Sequence, residues 1–190
     1  MYRMFIAPRK QIRLPPDEYL GTSISFVTIC SEHRIPIFHH ASRGNVAIAA
    51  LRDVSRSLQF LVHAFCLMPD HVHLLVEGTT PGSDLVRFVA RWKQQTGYLF
   101  RHDLPKRFWQ RRFYDHILRS GDDSDSVAWY IWMNPVRKGM VAEVHQYPFS
   151  GSFSADWPNI SAPAKPWSPP WKTQLQGPLP RSYGRSLEKA

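Results

Sequence analysis

The sequence predicts an α+β domain of the order β-α-β-β-α-β, an antiparallel four-stranded sheet backed by two helices, with one more helix after the last strand. Three observations predict it. Runs of β-branched and apolar residues stand at 22–30, at 60–68 and in MPDHVHLLV at 68–76, and two stretches with apolar residues at helical spacing separate or follow them. An acidic cluster, GDDSDS at 121–126, then supplies a helix cap before VAWYIWMN.

TSISFVTIC, residues 22–30, reads as the first strand. Residues 43–59 place Val46, Ala50, Leu51, Val54 and Leu58 on one helical stripe, with Arg52 and Arg56 outside it. FLVHAFCLM, residues 60–68, is a nearly all-apolar strand. A Pro69-Asp70 turn joins it as a hairpin to the strand of MPDHVHLLV, residues 68–76. Ser83 or Asp84 caps a second helix whose stripe is Leu85, Phe88, Val89, Trp92 and Leu99. RFYDHILR, residues 112–119, is the fourth strand, and the third helix is expected to end at Pro135. This is the ferredoxin-like split pattern, which leaves the second sheet face open to a ligand or to the third helix.

The chain divides into a basic arm, residues 1–18, a folded domain, residues 19–151, and a segment at 152–190 with prolines throughout and no period, expected to be disordered. A net charge of +9 points to a polyanionic partner. No apolar run approaches the roughly 20 residues of a membrane span, and the first residues lack the apolar core of a secretory signal. A cytoplasmic protein with buried, reduced Cys30 and Cys66 is expected.

Alternation along a pleated strand puts His71, His73, Leu75 and Glu77 on one face and Val72, Leu74 and Val76 on the other. The paired imidazoles could grip a metal ion; the plain alternative is two histidines on a half-exposed strand. Tyr130 and Asn134 stand one helical turn apart. If that helix crosses the open face, Asn134 could offer an amide oxygen to the ion and Tyr130 a nucleophile to phosphorus. An ordinary amphipathic tyrosine and a turn-forming Asn-Pro are the alternatives, and a residue before proline is biased away from helical geometry.

MPDHVHLLV, FWQRRFYDHILRS (108–120), YIWMNPVRKGMV (130–141) and YPFSG (147–151) together resemble the single-tyrosine HUH transposases, and among them the REP-associated tyrosine transposases of bacteria. The resemblance runs from about residue 19 to about residue 153. It implies an HUH transposase/nuclease domain over 19–151, with a metal held by His71 and His73 around Val72 and by Asn134 as third ligand. It implies Tyr130 as the nucleophile of an endonuclease and strand transferase acting on single-stranded or hairpin DNA from palindromic repeats. The product it implies is a 5′-phosphotyrosine and a free 3′-hydroxyl. Mg²⁺ or Mn²⁺ is the implied ion; imidazoles tolerate many metals, while amide and phosphate oxygens suit these two. A monomer is implied, whereas related mobile-element enzymes form dimers that exchange the tyrosine helix. A phenol titrates near 10, so the nucleophile needs activation, and Asp70, Glu77, Lys93 and Asp115 are the candidate proton acceptors.

Positive charge gathers at Arg101, Lys106, Arg107, Arg111 and Arg112, interleaved with Phe108 and Trp109, a mixture suited to single strands. Arg137 and Lys138 follow the tyrosine motif, Arg87, Arg91 and Gln94 form a polar stripe, and Arg3, Arg9, Lys10 and Arg13 make the arm basic. Trp157, Trp167 and Trp171 in the last segment are expected to be incidental to catalysis. Two other functions fit the same residues. One is a non-catalytic ferredoxin-like nucleic-acid-binding module with a stacking face. The other is a hydrolase whose histidines activate water without Tyr130.

Overall fold

The computed structural model describes residues 15–105, 107–156 and 161–169. Its elements are β1 (Ile24–Cys30), α1 (Ala41–Ser57), β2 (Phe60–Met68), β3 (His71–Gly78), α2 (Leu85–Leu99), β4 (Tyr114–Ile117), α3 (Ser124–Trp132), α4 (Asn134–Arg137) and β5 (Ser150–Gly151). The sheet order is β4-β1-β3-β2-β5, with every pair antiparallel. The first four strands are the ferredoxin-like sheet; β5 is an addition beside β2.

Met68 pairs with His71 across the Pro69-Asp70 turn, so β2 and β3 form the expected hairpin. Both faces of this hairpin are covered, which is why β2 is apolar almost throughout. The face of Val72, Leu74 and Val76 meets α1 and α2, where the Phe60 and Phe88 rings lie 4.6 Å apart. Trp92 Nε1 donates to the Ala47 carbonyl at 3.1 Å and ties the two helices together. In α1 the inward stripe is Ala47, Ala50, Leu51 and Val54. Val46, expected on that stripe, is exposed, because it sits about 100° round the helix from Ala47. Leu99 is likewise exposed at the end of α2. Asp84 caps α2 by accepting from the Arg87 amide, while Ser83 instead donates to the Gln59 carbonyl.

The third helix departs from expectation at its end. Asp123 caps α3, which stops at Trp132, and Pro135 opens the next turn rather than closing the previous one. A proline in a first turn gives up only an amide that has no helical acceptor. Asn134 therefore begins α4. The YPFSG stretch then closes the β2 edge. Tyr147 Oη donates to the Leu67 carbonyl at 2.8 Å, Leu67 N donates to Phe149 O, and Trp132 Nε1 donates to Gly151 O at 3.0 Å. A Cβ on Gly151 would run into the Phe65 ring, and one on Gly44 into the Phe149 ring, so both glycines permit close packing.

Part of the segment expected to be disordered lies against the domain. Phe153 N donates to Val62 O, and its ring packs 5.1 Å from that of Phe65. Ser126 Oγ donates to the Lys165 carbonyl at 2.7 Å, and Trp167 Nε1 donates to Asp122 Oδ1 at 3.3 Å. Trp157, Trp171 and residues 1–14 of the basic arm, with Arg3, Arg9, Lys10 and Arg13, lie outside the described residues. Cys30 and Cys66 are buried and unpaired, and burial pushes the Cys66 thiol up to about 12. Among the described residues no helix is long and apolar enough to cross a membrane.

Two glycines should respond oppositely to alanine in thermal unfolding. A Cβ on Gly78 would overlap the Gly21 carbonyl oxygen, so Gly78→Ala is expected to cost about 1–3 kcal/mol. Gly97 lies inside α2 with open space around it, so Gly97→Ala is expected to add about 0.5–1 kcal/mol.

Candidate active site

The pairing of β1 with β3 sets Thr28 opposite His73 and Cys30 opposite His71. Directly opposed residues of antiparallel strands share a face, so these four side chains lie together. Thr28 Oγ1 lies 2.8 Å from His73 Nδ1, and Asp70 Oδ1 lies 2.6 Å from His71 Nδ1. Each imidazole is thus held through Nδ1, which directs Nε2 as the ligand nitrogen. The rings stand 4.7 Å apart at 82° to one another. Burial holds His71 below the ordinary imidazole value in spite of the Asp70 carboxylate, so the ring is neutral at pH 7. Burial would raise Asp70, but the hydrogen bond and charge of His71, with Arg34 at 3.2 Å, keep it low.

A divalent cation fits this donor chemistry: two imidazoles, each held through Nδ1 and close together. Among the described residues no three His, Cys, Asp or Glu side chains stand together to hold a metal, so the pair needs other donors to complete a coordination shell. The Asn134 amide nitrogen donates to the carbonyls of Tyr130 and Ile131, both at 3.1 Å, which makes its oxygen the end suited to a cation.

Helix α3 lies on the histidine face of the sheet. The Tyr130 ring is 6.5 Å from that of His73 and 6.1 Å from that of Phe26. Arg137 reaches back from α4, its guanidinium 4.2 Å from the Tyr130 ring centre and its Nη2 donating to the Tyr130 carbonyl. Trp167 covers the assembly, 5.1 Å from the Tyr130 ring and 5.4 Å from that of Phe26.

The four expected proton acceptors are engaged elsewhere. Asp70 holds His71 and Arg34, and Glu77 Oε2 lies 2.7 Å from His63 Nε2. Lys93 Nζ donates to the carbonyls of Gln110 and Arg111, and Asp115 accepts from the Tyr19 hydroxyl. Of the basic residues, Arg101, Arg107, Arg111, Arg112, Arg137 and Lys138 are exposed, and Lys106 lies outside the described residues. Trp109, expected as a stacking ring, is instead core: it is buried against Phe38, Trp92 and Phe108, and its indole donates to Thr96 Oγ1.

Sequence reasoning missed Thr28, Arg34 and Trp167. Thr28 could be found only by aligning TSISFVTIC against the histidine strand, and Arg34 only by folding its loop onto the hairpin turn. Trp167 carried a signal, an isolated aromatic among prolines, but nothing local to say where it docks.

Residues 22–134 match the family model described as "Transposase IS200 like". A REP-associated tyrosine transposase of Escherichia coli K12 is 31% identical over 116 residues, covering 57% of this chain and 68% of that protein. A putative REP-associated tyrosine transposase of Haemophilus influenzae is 31% identical over 123 residues, covering 57% of this chain and 67% of that one. A solved structure, described as a REP-associated tyrosine transposase bound to a REP hairpin, matches the fold with a TM-score of 0.62. The match is at 23% identity over 79% of this chain and 96% of that one. The family match takes in both histidines, the tyrosine and the asparagine, and with it the chain belongs to the IS200-like transposases, as a relative of the REP-associated tyrosine transposases.

Proposed function

We propose that the protein is a metal-dependent DNA endonuclease and strand transferase that cuts single-stranded or hairpin DNA of the REP type through Tyr130. The observation that carries this reading is the Tyr130 ring lying 6.5 Å from one of two imidazoles already oriented for metal binding. His71 and His73 would hold the ion, with Asn134 Oδ1 and substrate oxygens as further donors; Mg²⁺ or Mn²⁺ suits that mixed set. Bound there, the ion supplies Lewis-acid polarisation of a phosphate oxygen.

The chain's own residues do the rest. The phenolic oxygen of Tyr130 bonds to phosphorus and gives up its proton, the bond from phosphorus to the 3′-oxygen breaks, and the 3′-oxygen leaves as a hydroxyl, so that the net step moves one proton from the phenol to the 3′-oxygen. A 5′-phosphotyrosine results, and its ester keeps the energy needed for rejoining. Arg137, beside the Tyr130 ring, offsets negative charge on the phenolic oxygen and the phosphate. Arg107, Arg111, Arg112 and Lys138 take backbone phosphates. Trp167 stands over Tyr130 and has to leave before a strand can reach it. The domain responsible is residues 19–151, acting as a monomer.

Three measurements check this. Incubation with labelled hairpin DNA and Mn²⁺, followed by denaturation, is expected to give a protein-linked label with the native chain and none with Tyr130→Phe or His71→Ala. Tyr130→Phe should still bind the DNA. Cleavage surviving in Tyr130→Phe would mean that water, not the phenol, attacks, and binding without cleavage under any metal would leave only a binding module. In the same assay Trp167→Ala should raise the rate of adduct formation. Mn²⁺ affinity, followed by calorimetry, should be constant above the ordinary imidazole pKa of about 6.5. It should fall as the pH drops through the depressed His71 value, because protons then compete for the ligand nitrogen.

A further inference from the structure

The active face of the sheet has a row that the mechanism above does not use. Thr28 pairs with His73 on one side and with Tyr114 of β4 on the other, so His73, Thr28 and Tyr114 form one cross-strand row on the face where Tyr130 lies. With strands about 4.8 Å apart, Tyr114 sits about 10 Å from His73, measured between backbones. β4 is the outer strand, and Tyr114 is 61% exposed. Tyr114 is thus a large aromatic ring left mostly open in the same row as the buried His73.

Two further observations say what lies on it. The neighbouring row, Phe26 and His116, already receives a flat aromatic ring: Trp167 packs 5.4 Å from the Phe26 ring and 6.2 Å from that of His116. This face therefore accepts planar groups between β1 and β4. The chain entering β4 also brings the charge. Gln110 N donates to Cys30 O, which fixes residue 110 level with the histidine end of β1, and Lys93 Nζ pins the Gln110 and Arg111 carbonyls. Between that anchor and Tyr114 stand Arg111 and Arg112, both exposed at the sheet edge. A flat exposed ring preceded along the chain by two exposed arginines suits one unpaired nucleotide, its base on the ring and its phosphates on the arginines.

We propose that Tyr114 is the stacking platform for an unpaired base of the DNA strand that enters the site over the β4 edge. The proposal rests on the nuclease reading above and adds a subsite to it.

The test is fluorescence anisotropy with the full chain. It uses a hairpin with single-stranded flanks, the same hairpin blunt-ended, and a set with one abasic nucleotide stepped along each flank. Tyr114→Ala is expected to weaken binding of the flanked hairpin about tenfold and to leave the blunt hairpin unchanged. Tyr114→Phe should bind as the native chain does. One abasic position should weaken the native chain as much as Tyr114→Ala does and have no further effect on that variant. Equal loss on blunt and flanked hairpins, or no loss at all, would overturn the subsite while native adduct formation left the parent reading standing. A change in sedimentation of Tyr114→Ala with DNA affinity intact would assign the β4 edge to a second copy of the chain instead. If the native chain binds no flanked hairpin, both readings fall together.

Discussion

The site depends on the register of β1 against β3. Because side chains alternate along a strand, a slip of one residue would send His71 and His73 into the apolar layer beneath α1 and α2 and bring Val72 and Leu74 to the face where Tyr130 lies. It would also leave the His73 ring without its partner, since Thr28 would no longer oppose it. The register is held from both sides. Thr28 contributes its hydroxyl on the functional face, and Val27, Ile29, Val72 and Leu74 are completely buried on the other. Packing the core and orienting the His73 imidazole are here the same event.

From that register the other parts follow by short steps. The two-residue hairpin turn brings Asp70 to His71, and Arg34 arrives from the loop after β1 to steady the carboxylate. That loop holds His33 and Arg34 at positive φ, a conformation residues other than glycine adopt at some cost. Ser31 spans the same place, its amide and hydroxyl both donating to the Asp70 carbonyl. The cost in backbone strain is thus met by a network that converges on one side of one imidazole. His73, deeper in the sheet, has a threonine in place of the carboxylate, so one ring of the pair is backed by charge and the other by a neutral group.

Much of this was legible in the sequence because it is written locally. Strand alternation, the Pro-Asp turn, the Asp84 and Asp123 caps and the order of elements all come from neighbours within a few residues. That His71 and His73 share one face of the sheet was legible for the same reason. What the sequence hid is what depends on distant segments meeting. Trp109 looked like a base-stacking ring because arginines surround it, yet its own side chain turns inward to Thr96, fifth residue from the exposed Arg101. Asn134 looked like the last residue of a helix, but it begins the next one, because proline is tolerated at a helix start. The candidate bases for Tyr130 were each plausible alone, and each proved to be engaged with a partner far away in sequence.

The seam made by YPFSG bears on how short the folded unit can be. The family match ends at residue 134, before this seam. A polypeptide stopped there would leave the outer margin of β2 without the backbone of residues 149–153, and the Trp132 indole N–H without its acceptor in the protein interior. An open hydrophobic margin of this kind invites pairing between molecules. The packing that holds the Tyr130 helix therefore continues to Phe153, some twenty positions beyond that helix.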